Sequence, residues 1–264
     1  MEKLHIIKIG GNILDNSTQL HRFLSDFSSL EGAKILVHGG GKIASFLGQR
    51  LGITPRMVEG RRITDAETLE LVTMVYGGLI NKQVVAKLQA LECNAIGMTG
   101  ADANAIRAQM RPVREVDYGF AGDVAGPKNI NATALQGMLS LGLTPVFAPL
   151  THDGQGSMLN TNADTIASVL ATALAPQYHV TLIYCFEKKG VLQDATDNDS
   201  VIPEINKAKY ATLREAGIVS EGMIPKLDNA FSALDQGVRA VQIGDAVAIG
   251  QMAAGRKAGT LITL

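Results

Sequence analysis

The sequence of 264 residues contains no tryptophan, and aromatic residues make up only 5% of it. Its two cysteines, Cys93 and Cys185, lie far apart and form no CxxC pair. This excludes a cysteine-based zinc site and a disulfide-rich scaffold, and it favours a reducing compartment. The five histidines are scattered without ligand spacing, so the sequence predicts no metal site held by the protein itself.

Charged residues are also few, at 19% against a typical ~25%. The 24 basic and 25 acidic residues nearly cancel, which gives no support for a nucleic-acid or membrane partner. The longest stretch without a charge, residues 129–152, is too polar to span a membrane. Lys8 stands where an export signal needs an apolar run. We therefore expect a soluble, cytoplasmic protein.

Short β-branched runs alternate with longer stretches of helical periodicity. The pattern predicts strands at 4–9, 34–38, 94–98, 145–148, 181–185 and 240–243, and helices at 66–91, 132–141, 163–174, 207–216 and 225–236. Thr64 and Glu67 are spaced as a capping box for the first of these helices. The alternation predicts an α/β fold with a mostly parallel sheet covered on both faces. We expect two lobes that share this sheet, residues 1–177 and 178–264.

Glycine is abundant: 28 of the 264 residues, or about 11%, are glycine, against an average of about 7%. Gly10 and Gly11 follow the first predicted strand, and Gly39, Gly40 and Gly41 follow the second. Glycines at a strand-to-helix turn expose backbone N–H groups and let a phosphate approach closely. One such turn needs no function, because tight turns favour glycine. Two of them, with a lysine just before the first pair, favour a phosphate-binding cradle.

Three known glycine motifs fit these turns poorly. A Walker A loop is absent, because Ile43 stands where the motif needs Ser or Thr. Residues 39–44 match the loose dinucleotide pattern GxGxxA, but Glu59, the acidic residue at the required distance, does not end a strand. The His-Gly-Gly-Gly sequence at 38–41 resembles an esterase oxyanion loop, but the chain has no GxSxG nucleophile.

Further polar segments precede predicted helices. Arg61 and Arg62 are suited to carboxylate binding, although a solvated surface pair is the simpler interpretation of that segment alone. Asp164 follows Asn162, so the segment either only caps a helix or also directs a carboxylate into a site that holds cations. Lys226 stands near the start of another helix, where an ordinary surface lysine is the simpler interpretation of that segment alone.

Taken in order, these segments resemble the amino acid kinase family. The resemblance covers nearly the whole chain and rests on Lys8-Ile9-Gly10-Gly11, His38-Gly39-Gly40-Gly41, Gly60-Arg61-Arg62-Ile63-Thr64, residues 73–82, Asn160-Thr161-Asn162-Ala163-Asp164, Gly222-Met223-Ile224-Pro225-Lys226 and Gly259-Thr260-Leu261-Ile262. The Arg-Arg-Ile-Thr segment and the helix ending in Asn81-Lys82 are more similar to the branch acting on N-acetylglutamate than to the uridylate, carbamate or aspartate branches.

The resemblance implies a three-layer αβα sandwich around a sheet of about eight strands. It implies that ATP, with Mg²⁺, phosphorylates the γ-carboxylate of an N-acylglutamate in arginine biosynthesis. N-acetylglutamate is the expected substrate, with N-succinylglutamate as the alternative. The N-terminal lobe would bind this substrate and form a homodimer, and the C-terminal lobe would bind ATP.

Residue roles also follow from the resemblance. The expected catalytic residues are Lys8, Lys226, Asp164, Gly11 and Gly40. Gly40, Gly41, Arg62 and Asn160 would bind the acylated amino acid. Lys8, Gly10, Gly11, Glu187, Gly190 and Lys226 would bind the nucleotide.

One segment departs from the family pattern. After the strand at 181–185 the family usually has an Asp-Val pair, whereas this chain has Phe186, Glu187, Lys188 and Lys189 before Gly190. Two other hypotheses stay open, and the departure supports only the second of them. One is a dinucleotide-dependent oxidoreductase built on residues 39–44, and the other is a catalytically silent, amino-acid-sensing member of the same fold.

Overall fold

A computed structural model describes residues 1–219, 223–256 and 258–264, and for Pro225 it describes the backbone alone. Gly222, the first residue of the Gly222–Lys226 segment, lies outside the described residues. None of the helices described is long and apolar enough to cross a membrane.

The described residues form strands and helices that alternate along the chain. The strands are β1 (Lys3–Ile9), β2 (Ala33–His38), β3 (Met57–Val58), β4 (Arg61–Arg62), β5 (Ala95–Met98), β6 (Gln109–Met110), β7 (Ala121–Asp123), β8 (Thr144–Phe147), β9 (Leu150–His152), β10 (Met158–Thr161), β11 (His179–Phe186), β12 (Glu204–Ile205), β13 (Ala240–Asp245) and β14 (Thr260–Ile262). The α-helices are α1 (Gly11–Asp15), α2 (Ser17–Ser28), α3 (Gly41–Arg50), α4 (Ala66–Val72), α5 (Asn81–Gln89), α6 (Ala132–Ser140), α7 (Ala163–Leu174), α8 (Lys207–Glu215), α9 (Ile224–Asp235) and α10 (Ile249–Ala253). A π-helix spans Thr73–Ile80, and short 3₁₀ turns span Asp102–Asn104, Pro127–Asn129 and Ala246–Ala248.

The main sheet has eight strands in the order β12-β14-β13-β11-β1-β2-β8-β5. All neighbours in it are parallel except β13 and β14. This confirms the predicted α/β class with a mostly parallel sheet. A second sheet, β6-β7-β10-β9, and the hairpin β3-β4 were not predicted, because their strands are only two to four residues long.

Side chains of β1 alternate between two apolar layers, as the pleat requires. Leu4 and Ile6 pack in the layer that contains α7 and α9, whereas Ile7 and Ile9 pack in the layer that contains α2 and α3. Lys8 therefore lies on the side of α7 and α9. The three-layer arrangement follows from this alternation, since each face of the sheet buries its own apolar side chains.

Parallel register brings the carboxyl ends of the central strands to one edge. Ile9 at the end of β1 is opposite both Cys185 of β11 and His38 of β2. The turns that follow β1 and β2 begin with Gly10 and Gly39, so both glycine clusters lie at this edge. Ligands of open parallel sheets bind at such an edge.

The predicted helices differ in how well they match the observed ones. The helix at 163–174 has the bounds that the sequence predicts. The helix at 66–91 is instead interrupted by the π-helix Thr73–Ile80 between α4 and α5. A 3.6-residue pattern does not distinguish a π-helical turn from its α-helical flanks.

The predicted capping box at Thr64 is wrong. The N-cap of α4 is Asp65, whose Oδ1 accepts a hydrogen bond from the N–H of Thr68 at 3.0 Å. Thr64 is buried one residue earlier, where its N–H donates to the carbonyl of Tyr118 and its carbonyl accepts from the N–H of Phe120. This pairing with the neighbouring strand segment holds Thr64 outside the helix.

We expect Asp65→Ala to lower the free energy of unfolding by about 1 kcal/mol, the usual effect of removing an N-cap side chain. Glu67→Ala is the matched control, because Glu67 is the residue that the capping box would require. Urea unfolding measures both. If Glu67→Ala costs as much as Asp65→Ala, the assignment of the cap to Asp65 is wrong.

Candidate active site

Lys8, Asp164 and Lys226 form a compact triad above the end of β1. Lys8 Nζ lies 2.7 Å from Oδ1 of Asp164, and Lys226 Nζ donates a hydrogen bond to Oδ2. Each side chain comes from a different element: Lys8 from β1, Asp164 from the first turn of α7 and Lys226 from the first turn of α9. The triad carries one net positive charge, which suits an anionic ligand.

Asn162 caps α7 and holds the backbone of Asp164 in the first turn of that helix. Its Oδ1 accepts hydrogen bonds from the N–H groups of Asp164 at 2.7 Å and Thr165 at 3.2 Å. The sequence left open whether this segment only caps a helix or also directs a carboxylate into a site. The structure has both features: Asn162 caps the helix and Asp164 contacts two lysines.

Asp164 is nearly buried, with a side chain 13% exposed. Burial alone would raise its pKa, but the charges of Lys8 and Lys226 outweigh burial and lower the pKa to about 2. The carboxylate is therefore ionised at neutral pH. Its charge compensates part of the repulsion between the two ammonium groups.

The two glycine turns touch each other beside the triad. The N–H of Gly39 donates to the carbonyl of Ile9 at 3.1 Å, and a Cβ atom on Gly39 would lie 3.7 Å from the nitrogen of Gly11. Gly40 has φ +152°, and a Cβ there would lie 2.5 Å from Cδ1 of Ile80. Within the described residues, the N–H groups of Gly10 and Gly40 find no hydrogen-bond acceptor. They remain available to an anion.

One cavity of about 180 Å³ adjoins these turns. It brings together all four residues predicted to bind the acylated amino acid, and its lining is Gly39, Gly40, Gly41, Met57, Gly60, Arg61, Arg62, Tyr76, Ala121, Gly122, Pro149, Asn160, Thr161, Asn162 and Ala163. The lining includes Ala163, the residue that precedes Asp164 in the chain. Three larger crevices, of about 530, 790 and 990 Å³, include no member of the triad.

Hydrogen bonds hold Arg62 and Asn160, the two side chains of this cavity that are expected to bind the acylated amino acid. Arg62 is only 8% exposed, and its Nη2 donates to the carbonyl of Gly41 at 2.9 Å and to Oγ of Ser45 at 2.8 Å. Asn160 Nδ2 lies 3.0 Å from Oγ1 of Thr64, which itself donates to the carbonyl of Arg62. Arg62 thus takes part in both sets of contacts, through its guanidinium with Gly41 and Ser45 and through its backbone carbonyl with Thr64.

The predicted nucleotide residues Glu187 and Gly190 are not joined to the triad by any contact among the described residues. Glu187 is exposed just beyond β11. Gly190 is buried, and a Cβ there would lie 2.7 Å from Oγ1 of Thr260, so close packing alone accounts for that glycine. Lys188 and Lys189, which depart from the family pattern, contact Asn198 and Asp199 of the following loop.

Sequence reasoning did not select Tyr76 and Thr64 as members of the site. Tyr76 is buried, lines the cavity and lies against the position that a Cβ on Gly40 would occupy. Tyr76 could have been selected from the sequence, because its segment, residues 73–82, carries part of the family resemblance. Thr64 was assigned to a helix cap, and that assignment concealed its contact with Asn160.

No group of three or more His, Cys, Asp or Glu side chains in the described ranges could hold a metal ion. Any divalent cation at this site would therefore depend mainly on its ligands from a bound molecule. Mg²⁺ commonly binds in this way, through phosphate oxygens and water with one or two protein carboxylates.

The low pKa of Asp164 predicts a pH-dependent contribution to stability. Because the pKa is about 2 in the folded state against an ordinary 3.8, the ionised carboxylate stabilises the fold by ~2 kcal/mol above about pH 4. The contribution is lost as the pH falls from about 4 toward about 2. Wild type should therefore be more stable than Asp164→Asn at pH 7, and the difference should shrink in acid.

Urea unfolding at several pH values measures this difference. Asp235→Asn, which removes an exposed ion pair with Lys207, is the control and should change stability by less than about 1 kcal/mol. A difference between wild type and Asp164→Asn that stays constant down to about pH 2 would contradict the prediction.

Comparison with known proteins identifies the family of this chain. The model of the amino acid kinase family matches residues 3–245. Acetylglutamate kinase of Cytophaga hutchinsonii is 60% identical over 92% of this chain and 91% of that protein. Acetylglutamate kinases of Phocaeicola vulgatus and Methanopyrus kandleri are 58% and 39% identical, over 95% and 89% of this chain and 96% and 92% of theirs.

Solved structures of lower identity share the fold. N-acetylglutamate synthase from Neisseria gonorrhoeae, complexed with coenzyme A and N-acetyl-glutamate, superposes with a TM-score of 0.82 at 21% identity; 99% of this chain is covered, and it spans 59% of that longer chain. Carbamate kinase from Giardia lamblia, bound to AMP-PNP, superposes with a TM-score of 0.68 at 15% identity over 98% of both chains. The fold, the ordered motifs and the family match agree: the chain belongs to the amino acid kinase family.

Proposed function

We propose that this chain transfers the γ-phosphoryl group of ATP to the γ-carboxylate of N-acetyl-L-glutamate, forming an acyl phosphate in arginine biosynthesis. The observation that carries the proposal is the cavity that brings Gly40, Gly41, Arg62 and Asn160 together and includes Ala163, the residue before Asp164 of the Lys8–Asp164–Lys226 triad. Identity of 60% to an acetylglutamate kinase supports the choice of substrate.

The acceptor needs no general base. A γ-carboxylate with an ordinary pKa near 4.3 is already ionised at neutral pH. The difficulty is to bring this anion up to a triphosphate that is itself negatively charged. Catalysis of such a transfer consists of positioning the two substrates and stabilising charge as it develops.

The triad and the glycine turns supply that stabilisation. Lys8 and Lys226 would contact phosphate oxygens from two sides, and Asp164 would hold the two ammonium groups in place. The N–H groups of Gly10, Gly11 and Gly40 would donate to oxygens of the transferring group. Hydrogen-bond donors fixed before the reaction are effective because they need no reorganisation in the transition state.

The cavity would orient the acceptor. Arg62 would bind the α-carboxylate, and Asn160 with Gly41 would bind the N-acyl amide, which leaves the γ-carboxylate directed toward the triad. N-acetyl is the proposed acyl group, and N-succinyl is the alternative that the assay below distinguishes.

Nucleotide binding completes the proposal. ATP would bind on the side of residues 178–264, with Glu187 and Gly190 near the nucleotide, while residues 1–177 bind the acceptor. Mg²⁺ would bind together with the phosphates, because the described part of the chain offers no cluster of ligands for it.

We place the enzyme in the cytoplasm, where the free thiols of Cys93 and Cys185 stay reduced.

A homodimer is part of the same proposal. Met74 and Leu79 of the π-helix are 58% and 42% exposed, and β5 is an edge strand of the main sheet. Exposed apolar side chains and an open strand edge each favour association. Sedimentation equilibrium tests it: a mass near 27.9 kDa, that of one chain, would contradict a dimer.

The two other hypotheses are not favoured. Glu59, the acidic residue of the dinucleotide hypothesis, lies in the turn of the β3-β4 hairpin and not at the end of a parallel strand. A silent sensor would not need a complete triad beside an acceptor cavity.

Trapping the acyl phosphate tests the reaction. The protein, MgATP and N-acetyl-L-glutamate should give a hydroxamate when hydroxylamine is present, and N-succinyl-L-glutamate should give less. Omission of the acceptor and of ATP are the two controls. If neither acceptor yields hydroxamate, the kinase proposal is wrong.

Two variants separate the proposed roles. Lys8→Ala should lower kcat by about 10²-fold or more, because Lys8 would act mainly in the transition state. Arg62→Lys should raise the KM for the acceptor by about tenfold or more while leaving the KM for ATP nearly unchanged, since lysine loses the planar fork. Arg56→Lys, at an exposed arginine, is the control. A change in KM alone for Lys8→Ala would contradict the role given to it.

A further inference from the structure

His38 is a fully buried histidine that the mechanism above does not use. It ends β2, immediately before the turn formed by Gly39 and Gly40. Its Nδ1 lies 2.8 Å from the carbonyl oxygen of Gly39, and its Nε2 lies 3.1 Å from Nδ2 of Asn81. Asn81 is 1% exposed, and the same Nδ2 lies 2.9 Å from the carbonyl oxygen of Val146.

The chemistry of the partners fixes where the protons are. The carbonyl of Gly39 can only accept, so Nδ1 of His38 carries a proton and donates it. The carbonyl of Val146 can also only accept, so the amide nitrogen of Asn81 donates to it and gives its second proton to Nε2. Burial lowers the pKa of His38 to about 4, so a neutral ring is expected at neutral pH.

This hydrogen bond determines how the next peptide is oriented. In a trans peptide the carbonyl of one residue and the N–H of the next point in opposite directions. The carbonyl of Gly39 faces the buried ring, so the N–H of Gly40 faces away from it. Gly39 and Gly40 both line the acceptor cavity. Two adjacent glycines offer little resistance to rotation of this peptide plane, so the turn alone does not set its direction.

We propose that His38 is a positioning residue, whose Nδ1–H holds the Gly39–Gly40 peptide so that the Gly40 N–H faces the transferring phosphoryl group. Asn81 supports this role, because its Nδ2 donates to Nε2 and thereby disfavours the tautomer protonated at Nε2. Gly97 makes room for it, because a Cβ there would collide with Oδ1 of Asn81. The inference rests on the proposed function for the role of Gly40, whereas the hydrogen-bond pattern itself does not.

Two polar substitutions test the role of the Nδ1 proton. In His38→Asn the side-chain amide can replace the donor at Nδ1, and in His38→Gln it reaches only the position of Nε2. We expect His38→Gln to lower kcat at least about tenfold with each KM within about threefold, because a donor used in the transition state is misdirected. His38→Asn should retain most of the wild-type kcat.

The matched control is His5→Gln. His5 is also a buried histidine, 5% exposed, at the opposite end of the neighbouring strand β1. It should keep the wild-type kcat even if its melting temperature falls. If His38→Gln loses only thermal stability, or is as active as His38→Asn, the positioning role is wrong.

A measurement independent of activity separates this inference from the proposed function. Imidazole ¹⁵N NMR of the wild type should show His38 protonated at Nδ1 and unprotonated at Nε2 between about pH 6 and pH 8. An unprotonated Nδ1 overturns the inference even if either variant fails to fold. Failure of the wild type to form hydroxamate would instead contradict the proposed function and leave the ¹⁵N result to decide the hydrogen-bond pattern.

Discussion

The contact of Asp164 with two lysines is the interaction on which the candidate site depends. Lys8 and Lys226 would repel each other if they were brought together without a counter-charge, and the carboxylate between them offsets that repulsion. One carboxylate and two ammonium groups leave a net positive charge at the end of the sheet. The same contact ties β1, α7 and α9 to one another, so the charge that would attract a phosphate also locks the elements that carry it.

Strand register places the hydrogen-bond donors beside that charge. Ile9 aligns with His38 and with Cys185, so the glycine turns after β1 and β2 begin at the same level. The short distance between Gly39 and Gly11 follows from this register and would be lost if either cluster moved by one residue. A one-residue slip would also turn Lys8 to the opposite face of the sheet, away from α7 and α9.

Local patterns in the sequence predict six of the eight strands of the main sheet and miss the short strands β12 and β14. The charged groups were selected by the family resemblance, since Lys226 alone fits an ordinary surface lysine. Long apolar strands, the helix at 163–174 and the glycine turns are visible without a structure. The acceptor cavity is different: its walls include two-residue strands and a π-helix, which leave no periodic signal. Thr64 shows the limit most clearly, since its pairing with the segment at 118–120 overrides a spacing that suits a capping box. Contacts between residues far apart in the chain determined both features.

The two helical layers contribute different chemistry to the same edge of the sheet. The layer of α7 and α9 supplies full charges through Asp164 and Lys226. The opposite layer, through Asn81 at the start of α5 and the buried His38, supplies neutral hydrogen bonds that orient the backbone. A charged His38 would cost free energy to bury, because no carboxylate is among its hydrogen-bond partners in the described residues. A neutral network behind the glycine turn and a charged triad in front of it therefore avoid placing two desolvated charges on one turn.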